Sequence, residues 1–164
     1  MQKKGIRFIS CEEYILSRRK LKEIYDYPFD FFIRGELPKE NEKTVAIVGA
    51  RLCSAYGRHF AVKIAEELAG YDISLVSGMA RGIDGTAQRA AIKGGGKRLC
   101  GTWMRTGYLL PDAEPDLYQK FTENGGVLSE YPPGSQSASF SFPMRNRIIS
   151  WPFGLVIVIE AREK

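Results

Sequence analysis

Glycine and arginine recur together at three places in this sequence, a pairing suited to holding phosphate. Gly49-Ala-Arg51 is followed closely by Ser54 and Tyr56-Gly57-Arg58. Next comes Ser77-Gly78-Met79-Ala80-Arg81-Gly82-Ile83-Asp84, and later Glu130-Tyr-Pro-Pro-Gly134 leads into Phe140-Ser-Phe142-Pro-Met-Arg145-Asn-Arg147. Glycine lets a backbone approach a ligand closely and exposes N–H groups where a helix starts. The arginine guanidinium is a planar fork that matches phosphate oxygens. Phe140 and Phe142 lie among serines and prolines, in a segment too polar for a core strand. A ring beside arginines can stack on an unpaired base, worth about 1–3 kcal/mol per base. A duplex hides its base faces, so the combination favours a single strand. Blander readings stand beside these. The phenylalanines could fold back as a small satellite core, and Arg145 and Arg147 could complement carboxylates such as Glu130. Asp84 is better placed to cap the helix after it than to meet a ligand.

Other chemistries lack their residues. No Gly-Lys-Ser/Thr follows Gly49, so its loop is not a P-loop, and the full Gly-x-Gly-x-x-Gly dinucleotide fingerprint is missing. No metal-ligand spacing is visible, and no cofactor is expected. The single histidine, His59, falls inside a predicted helix with no nucleophile paired to it. Glu130 and Glu160 are strand-end carboxylates that would need a partner to serve a hydrolase. Cys11, Cys53 and Cys100 are odd in number and far apart, which points to reduced thiols. The net charge of +5 permits a polyanionic partner, although where the charge sits matters more than its sum.

The elements that position these loops alternate. Residues 1–42 read as a lead-in. A helix is expected over Glu12–Ile24 with Ser10 as a candidate N-cap, then a break at Asp26-Tyr-Pro28 and a short strand over Phe29–Ile33. Residues 43–164 read as a Rossmann-like domain. Strands are expected at Val45–Val48, Ile73–Val76, Lys97–Cys100, Gly126–Ser129 and Leu155–Ile159. Helices are expected at Tyr56–Ala69 (with Phe60, Ile64 and Leu68 as its apolar stripe), Ile83–Ile92 and Asp116–Asn124, and a helical turn at Pro143–Ile149. This rhythm predicts an α/β fold with a mostly parallel sheet and helices on both faces. Right-handed crossovers then gather every loop that follows a strand on one edge, where such sheets bind ligands. At 164 residues the chain can bury a real core. It shows no apolar run long enough for a membrane span and no signal peptide, so a cytoplasmic address is expected.

Five segments carry a resemblance. Val45-Ala-Ile-Val-Gly-Ala-Arg51, Tyr56-Gly57-Arg58, Val76-Ser-Gly-Met-Ala-Arg-Gly-Ile-Asp84, Leu128-Ser-Glu-Tyr-Pro-Pro-Gly134 and Phe142-Pro-Met-Arg-Asn-Arg-Ile-Ile149 resemble the DNA-processing protein A (DprA/Smf) family in order and spacing. The second and last of the longer segments together are highly specific, and the likeness extends to the lead-in Gly5-Ile-Arg-Phe-Ile9. The resemblance implies an extended Rossmann-like fold that binds single-stranded DNA, brings RecA recombinase onto it during natural transformation, and acts as a homodimer without catalysis. Carried onto this sequence, DNA contacts fall on Arg51 and Phe142. Arg81, Arg145 and Arg147 are neighbours, and Gly49, Ser77 and Gly78 supply the loop backbone.

Some positions depart from the family pattern. Ser139 or a neighbour stands where a basic residue is common. The loop Gly101-Thr-Trp-Met-Arg105 replaces a Gly-x-Gly-Ile-Asp pattern, Gln88 replaces a histidine, and Trp151-Pro-Phe-Gly154 replaces a Gly-Leu-Ser turn. The sequence starts after the family's small N-terminal helical domain and stops just past its last predicted strand. The expectation is a DNA cradle largely present, with the dimer and recombinase surfaces mostly missing. Two other readings remain. One is a nucleoside-monophosphate phosphoribohydrolase on a related fold, whose Pro-Gly-Gly-x-Gly-Thr-x-x-Glu motif is absent. The other is a shortened copy that folds without binding.

Overall fold

The computed structural model describes residues 5–10, 26, 30–39, 41–96, 99–102, 115–132, 141–150 and 154–161, and of residues 99–102, 115–117 and 141–145 it describes the backbone alone. The helix expected over Glu12–Ile24 lies outside the described residues, as do Trp103–Arg105, Ser139, Phe140 and Trp151–Phe153.

Among the described residues eleven elements follow one another: β1 (Ile6–Ser10), β2 (Asp30–Gly35), β3 (Thr44–Gly49), α1 (Ala55–Gly70), β4 (Ser74–Ser77), α2 (Ile83–Lys93), β5 (Leu99–Thr102), α3 (Pro115–Asn124), β6 (Gly125–Ser129), α4 (Ser141–Ser150) and β7 (Leu155–Ile159). The strands form one sheet in the order β1-β2-β6-β5-β4-β3-β7. From β6 to β7 all neighbours are parallel, while β1 with β2 and β2 with β6 run antiparallel. The expected mostly parallel sheet is therefore present, and the two lead-in strands extend it. In β1 and β2 Phe8 sits opposite Phe32, their rings meeting edge-on at 5.4 Å.

The apolar run Val45–Val48 of β3 is covered on both faces, Val45 and Ile47 packing on one side and Ala46 and Val48 on the other. On one face α1, α2 and α3 enclose Ile47, Leu75, Ile83, Phe121, Val127 and Ile159. On the other, α4 sets Ile149 against Ala46 and Val76, and Ile148 against Phe31, Ile33 and Leu128. Phe31 and Phe121 are both fully buried, each contributing about 2–3 kcal/mol.

Several expectations are corrected in detail. Helix α1 does not bury Phe60, which is 41% exposed; it buries Gly57, Ala61 and Ala65. Ala87, Ala90 and Ala91 of α2 are buried in the same cluster, so the two helices meet through small side chains and the bulky ring is left outside. Residues 141–150 form a ten-residue helix rather than a turn. Pro143 is tolerated because it sits in the first turn, where a missing N–H breaks no intrahelical bond. Of the strand expected at Lys97–Cys100, Leu99 and Cys100 lie in β5, which runs on to Thr102, and residues 97–98 lie outside the described residues.

Candidate functional site

The chain adds β4, β5 and β6 outward from β3, then returns to place β7 on β3's other side. The order reverses between β3 and β7, and ligands of open α/β sheets bind beside such a reversal, at the C-terminal strand ends. Three loops meet there: Ala50–Ser54 after β3, Gly78–Gly82 after β4, and Glu160 after β7.

Backbone contacts fix these loops against one another. Ala50 N donates to Glu160 O at 3.0 Å, and Ile83 N donates to Ala50 O at 3.2 Å. A Cβ on Gly49 would lie 2.0 Å from Ile159 O, so only glycine lets β3 and β7 close here. Gly82 has φ +85 and would set a Cβ 2.3 Å from Ala50 O. Two non-glycine residues at this edge, Met79 and Glu160, also have left-handed φ values of 56. Such backbone costs of order 1 kcal/mol or more each and gathers at sites whose surroundings enforce it.

The polar groups divide into inward and outward sets. Ser77 is fully buried and its hydroxyl donates to Ile47 O at 2.7 Å, tying β4 to β3. Gly78 is buried and its N–H donates to Asp84 Oδ2 at 3.0 Å. This corrects the expected cap: Gly82 is the N-cap of α2 and has no side-chain bond, while Asp84 reaches back to hold the loop. The first-turn N–H groups of Ile83, Gly85 and Thr86 are engaged by Ala50, Ala80 and Gly82 carbonyls, so glycine here serves close packing more than an open anion nest. Ser54 caps α1, its Oγ accepting from Gly57 N at 3.0 Å. Arg51 and Arg81, in contrast, stand exposed on the two bonded loops.

Farther along the edge, Arg147 of α4 reaches Glu130 just past β6. The Arg147 NH2 to Glu130 Oε1 distance is 2.5 Å, and its Nε lies 3.6 Å from Asp26 Oδ2. Burial raises the Glu130 pKa above its ordinary value; the Arg147 charge and hydrogen bond oppose the rise, and Asp26 adds to it. The reading of Arg147 as a carboxylate partner thus has direct geometric support. Phe142 and Arg145 precede it on α4, and their side chains lie outside the described residues.

Sequence reasoning did not anticipate Asp26 beside Arg147, nor the engagement of Glu160 by Ser54, which lies 106 residues away. It also left unmarked an outward pair at the start of α1, Tyr56 and Phe60, stacked at 6.2 Å and near parallel. Their i, i+4 spacing is the signal that could have found it. His59 is exposed, and Cys53 is a buried free thiol with Arg58 NH1 at 3.8 Å. Among the described residues no three His, Cys, Asp or Glu side chains group to hold a metal ion, and no helix is long and apolar enough to cross a membrane.

Comparison with known proteins identifies the family and the fold. DNA processing protein DprA of Streptococcus pneumoniae is 41% identical over 144 residues, covering 87% of this chain and 50% of the relative. Protein Smf of Escherichia coli is 36% identical over 137 residues, covering 83% and 37%. The chain thus spans half or less of the length of these curated relatives. Among solved structures, that of Streptococcus pneumoniae DNA processing protein A matches with a TM-score of 0.88 at 35% identity, covering 98% of this chain and 56% of that one. DNA processing protein A of Helicobacter pylori, described for its single-stranded DNA binding mode, shares the fold with a TM-score of 0.80 at 24% identity, covering 97% and 71%. Its relatives are named for DNA processing rather than for an enzymatic reaction. Since the family model of the DNA recombination-mediator protein A matches residues 8–164, nearly the whole sequence, the chain belongs to that family, DprA/Smf.

Proposed function

We propose that this chain binds single-stranded DNA across the C-terminal edge of its sheet, without catalysis, and acts in DNA processing and natural transformation by helping to load RecA recombinase. The observation that carries the reading is the pairing of Arg51 and Arg81. Both are exposed, on loops bonded to each other at the switch point. In this reading the two guanidinium groups meet phosphates, while Gly49, Ser77 and Gly78 shape the loops from within. Phe142 stacks on a base, Arg145 adds a cation beside it, and Arg147 braces α4 through Glu130. The homodimer, the contact with RecA and a cytoplasmic address belong to the reading through the family, whose curated members are about twice as long or more.

The test is a fluorescence anisotropy titration of labelled oligo-dT and of duplex DNA at two salt concentrations. Tighter binding of oligo-dT, weakening with salt, is expected. Equal or stronger binding of duplex overturns the single-strand reading. Cooperative unfolding with no binding of either supports a shortened copy that only folds. Phe142→Ala should cost oligo-dT binding about 1–3 kcal/mol; intact affinity removes the stacking role. Among the described residues the two strand-end carboxylates are already engaged, Glu160 by Ser54 and Glu130 by Arg147, which speaks against a phosphoribohydrolase. Release of free base from AMP would revive that alternative.

A further inference from the structure

Helix α1 begins at the switch point with its N-terminus facing the end of β7. A sixteen-residue helix concentrates a partial positive charge at that end. In open α/β sheets a ligand's phosphate sits at this position. Here a side chain of the chain itself fills it. Ser54 N donates to both carboxylate oxygens of Glu160, at 3.0 Å to Oε1 and 2.8 Å to Oε2. The Ser54 hydroxyl adds a third bond to Oε2 at 3.0 Å. A carboxylate held by N–H and O–H donors at a helix start presents the oxygens a phosphate would.

Two further features show that the backbone accommodates this arrangement. Glu160 adopts φ 56, an unfavourable region for a residue with a side chain, and its carbonyl accepts from Ala50 N at 3.0 Å. One residue therefore grips both ends of the Ala50–Ser54 segment, the stretch that carries Arg51. Gly57 leaves the space: a Cβ there would lie 2.2 Å from Glu160 Oε2.

We propose that the Glu160 carboxylate is the chain's own occupant of the switch-point anion position. It fixes the Arg51 loop from both ends and excludes a free phosphate group. The edge is left to an anionic polymer gripped from outside. Only this last clause rests on the single-stranded DNA reading; the occupancy stands without it. Glu160 is accordingly a positioning and specificity-determining residue.

The experiment compares wild type with Glu160→Gly by thermal melting in chloride, acetate and inorganic orthophosphate at matched ionic strength. Wild type should melt alike in all three. Glu160→Gly should melt lower in chloride and recover saturably by roughly 3–5 °C when acetate or orthophosphate reaches about tenfold its dissociation constant. A variant that folds only in acetate or orthophosphate gives the same answer. One that recovers equally in chloride, or stays unfolded in all three, overturns the occupancy.

Oligo-dT titration reads the loop. Glu160→Gly should bind about tenfold more weakly and regain part of that in acetate at matched ionic strength. Gly57→Ala, which displaces the carboxylate and blocks its place, should weaken binding without rescue. Wild-type affinity in both variants overturns the positioning role. If wild type itself fails to bind oligo-dT while the anion-dependent melting holds, the DNA reading falls and the occupancy survives.

Discussion

At the β3–β4 end of the strand edge, the loops bearing Arg51 and Arg81 are shaped by main-chain atoms and by the carboxylates of Glu160 and Asp84. At the β6–α4 end the arginine is itself the brace: Arg147, 20% exposed, lies between Glu130 and Asp26. Both ends carry arginine close to glycine or proline in sequence, on a loop at one end and within α4 at the other. They differ in which group holds the loop. A carboxylate removed from water needs a cation close by. The arginine next to part-buried Glu130 is therefore drawn into the structure, while Arg51 and Arg81 on backbone-fixed loops remain at the surface.

The comparison can be broken at either end, and the backbone end should respond most strongly. Gly49→Ala places a Cβ against Ile159 O and the Ile83 side chain. Forcing β3 from β7 should cost more than about 3 kcal/mol in urea unfolding. A tolerated alanine would mean that the loops are not set by main-chain packing. Next in size, Arg147→Ala leaves part-buried Glu130 without its cation and should destabilise by about 1–3 kcal/mol. In a double-mutant cycle with Glu130→Gln, a coupling near zero would show that the pair does not brace α4.

A smaller effect lies in the pH dependence. Burial holds the Glu130 carboxyl above its ordinary value of 4.5 in the folded chain. Between that value and the raised one, the folded state binds more proton than the unfolded state. Stability should therefore fall as pH rises through this window and level off above it. Glu130→Gln should remove that part of the slope in denaturation curves taken from about pH 4 to pH 7. The smallest stability change is expected for Arg51→Ala, under about 1 kcal/mol. Its effect should appear instead as weaker oligo-dT binding and a salt slope lower by about one. A large stability loss without a change in salt slope would erase the contrast with Arg147.

Much of the fold was legible where a segment's apolar residues decide its own fate. Strands β3 and β7 are built on the unbroken apolar runs Val45–Val48 and Leu155–Ile159. Legibility failed where a partner decides. β1 is defined by β2 opposite it, and Phe60 is excluded because α1 and α2 approach through alanines. Arg51 and Arg81 could be singled out from their loops alone, and both are exposed. The roles of Asp84 and Glu160 depend on atoms brought near only by the finished sheet.

That dependence has a consequence for the order in which the molecule is made. The bond from Ser54 to Glu160 closes a span of 106 residues. Closure over that length costs on the order of 4 kcal/mol of chain entropy. As the polypeptide leaves the ribosome, β3, α1, β4 and α2 can assemble early from near neighbours. The Arg51 loop lacks its Glu160 latch until β7 and residue 160 have emerged. A nascent chain stalled before that point should carry a formed half-sheet with this loop still open to proteases.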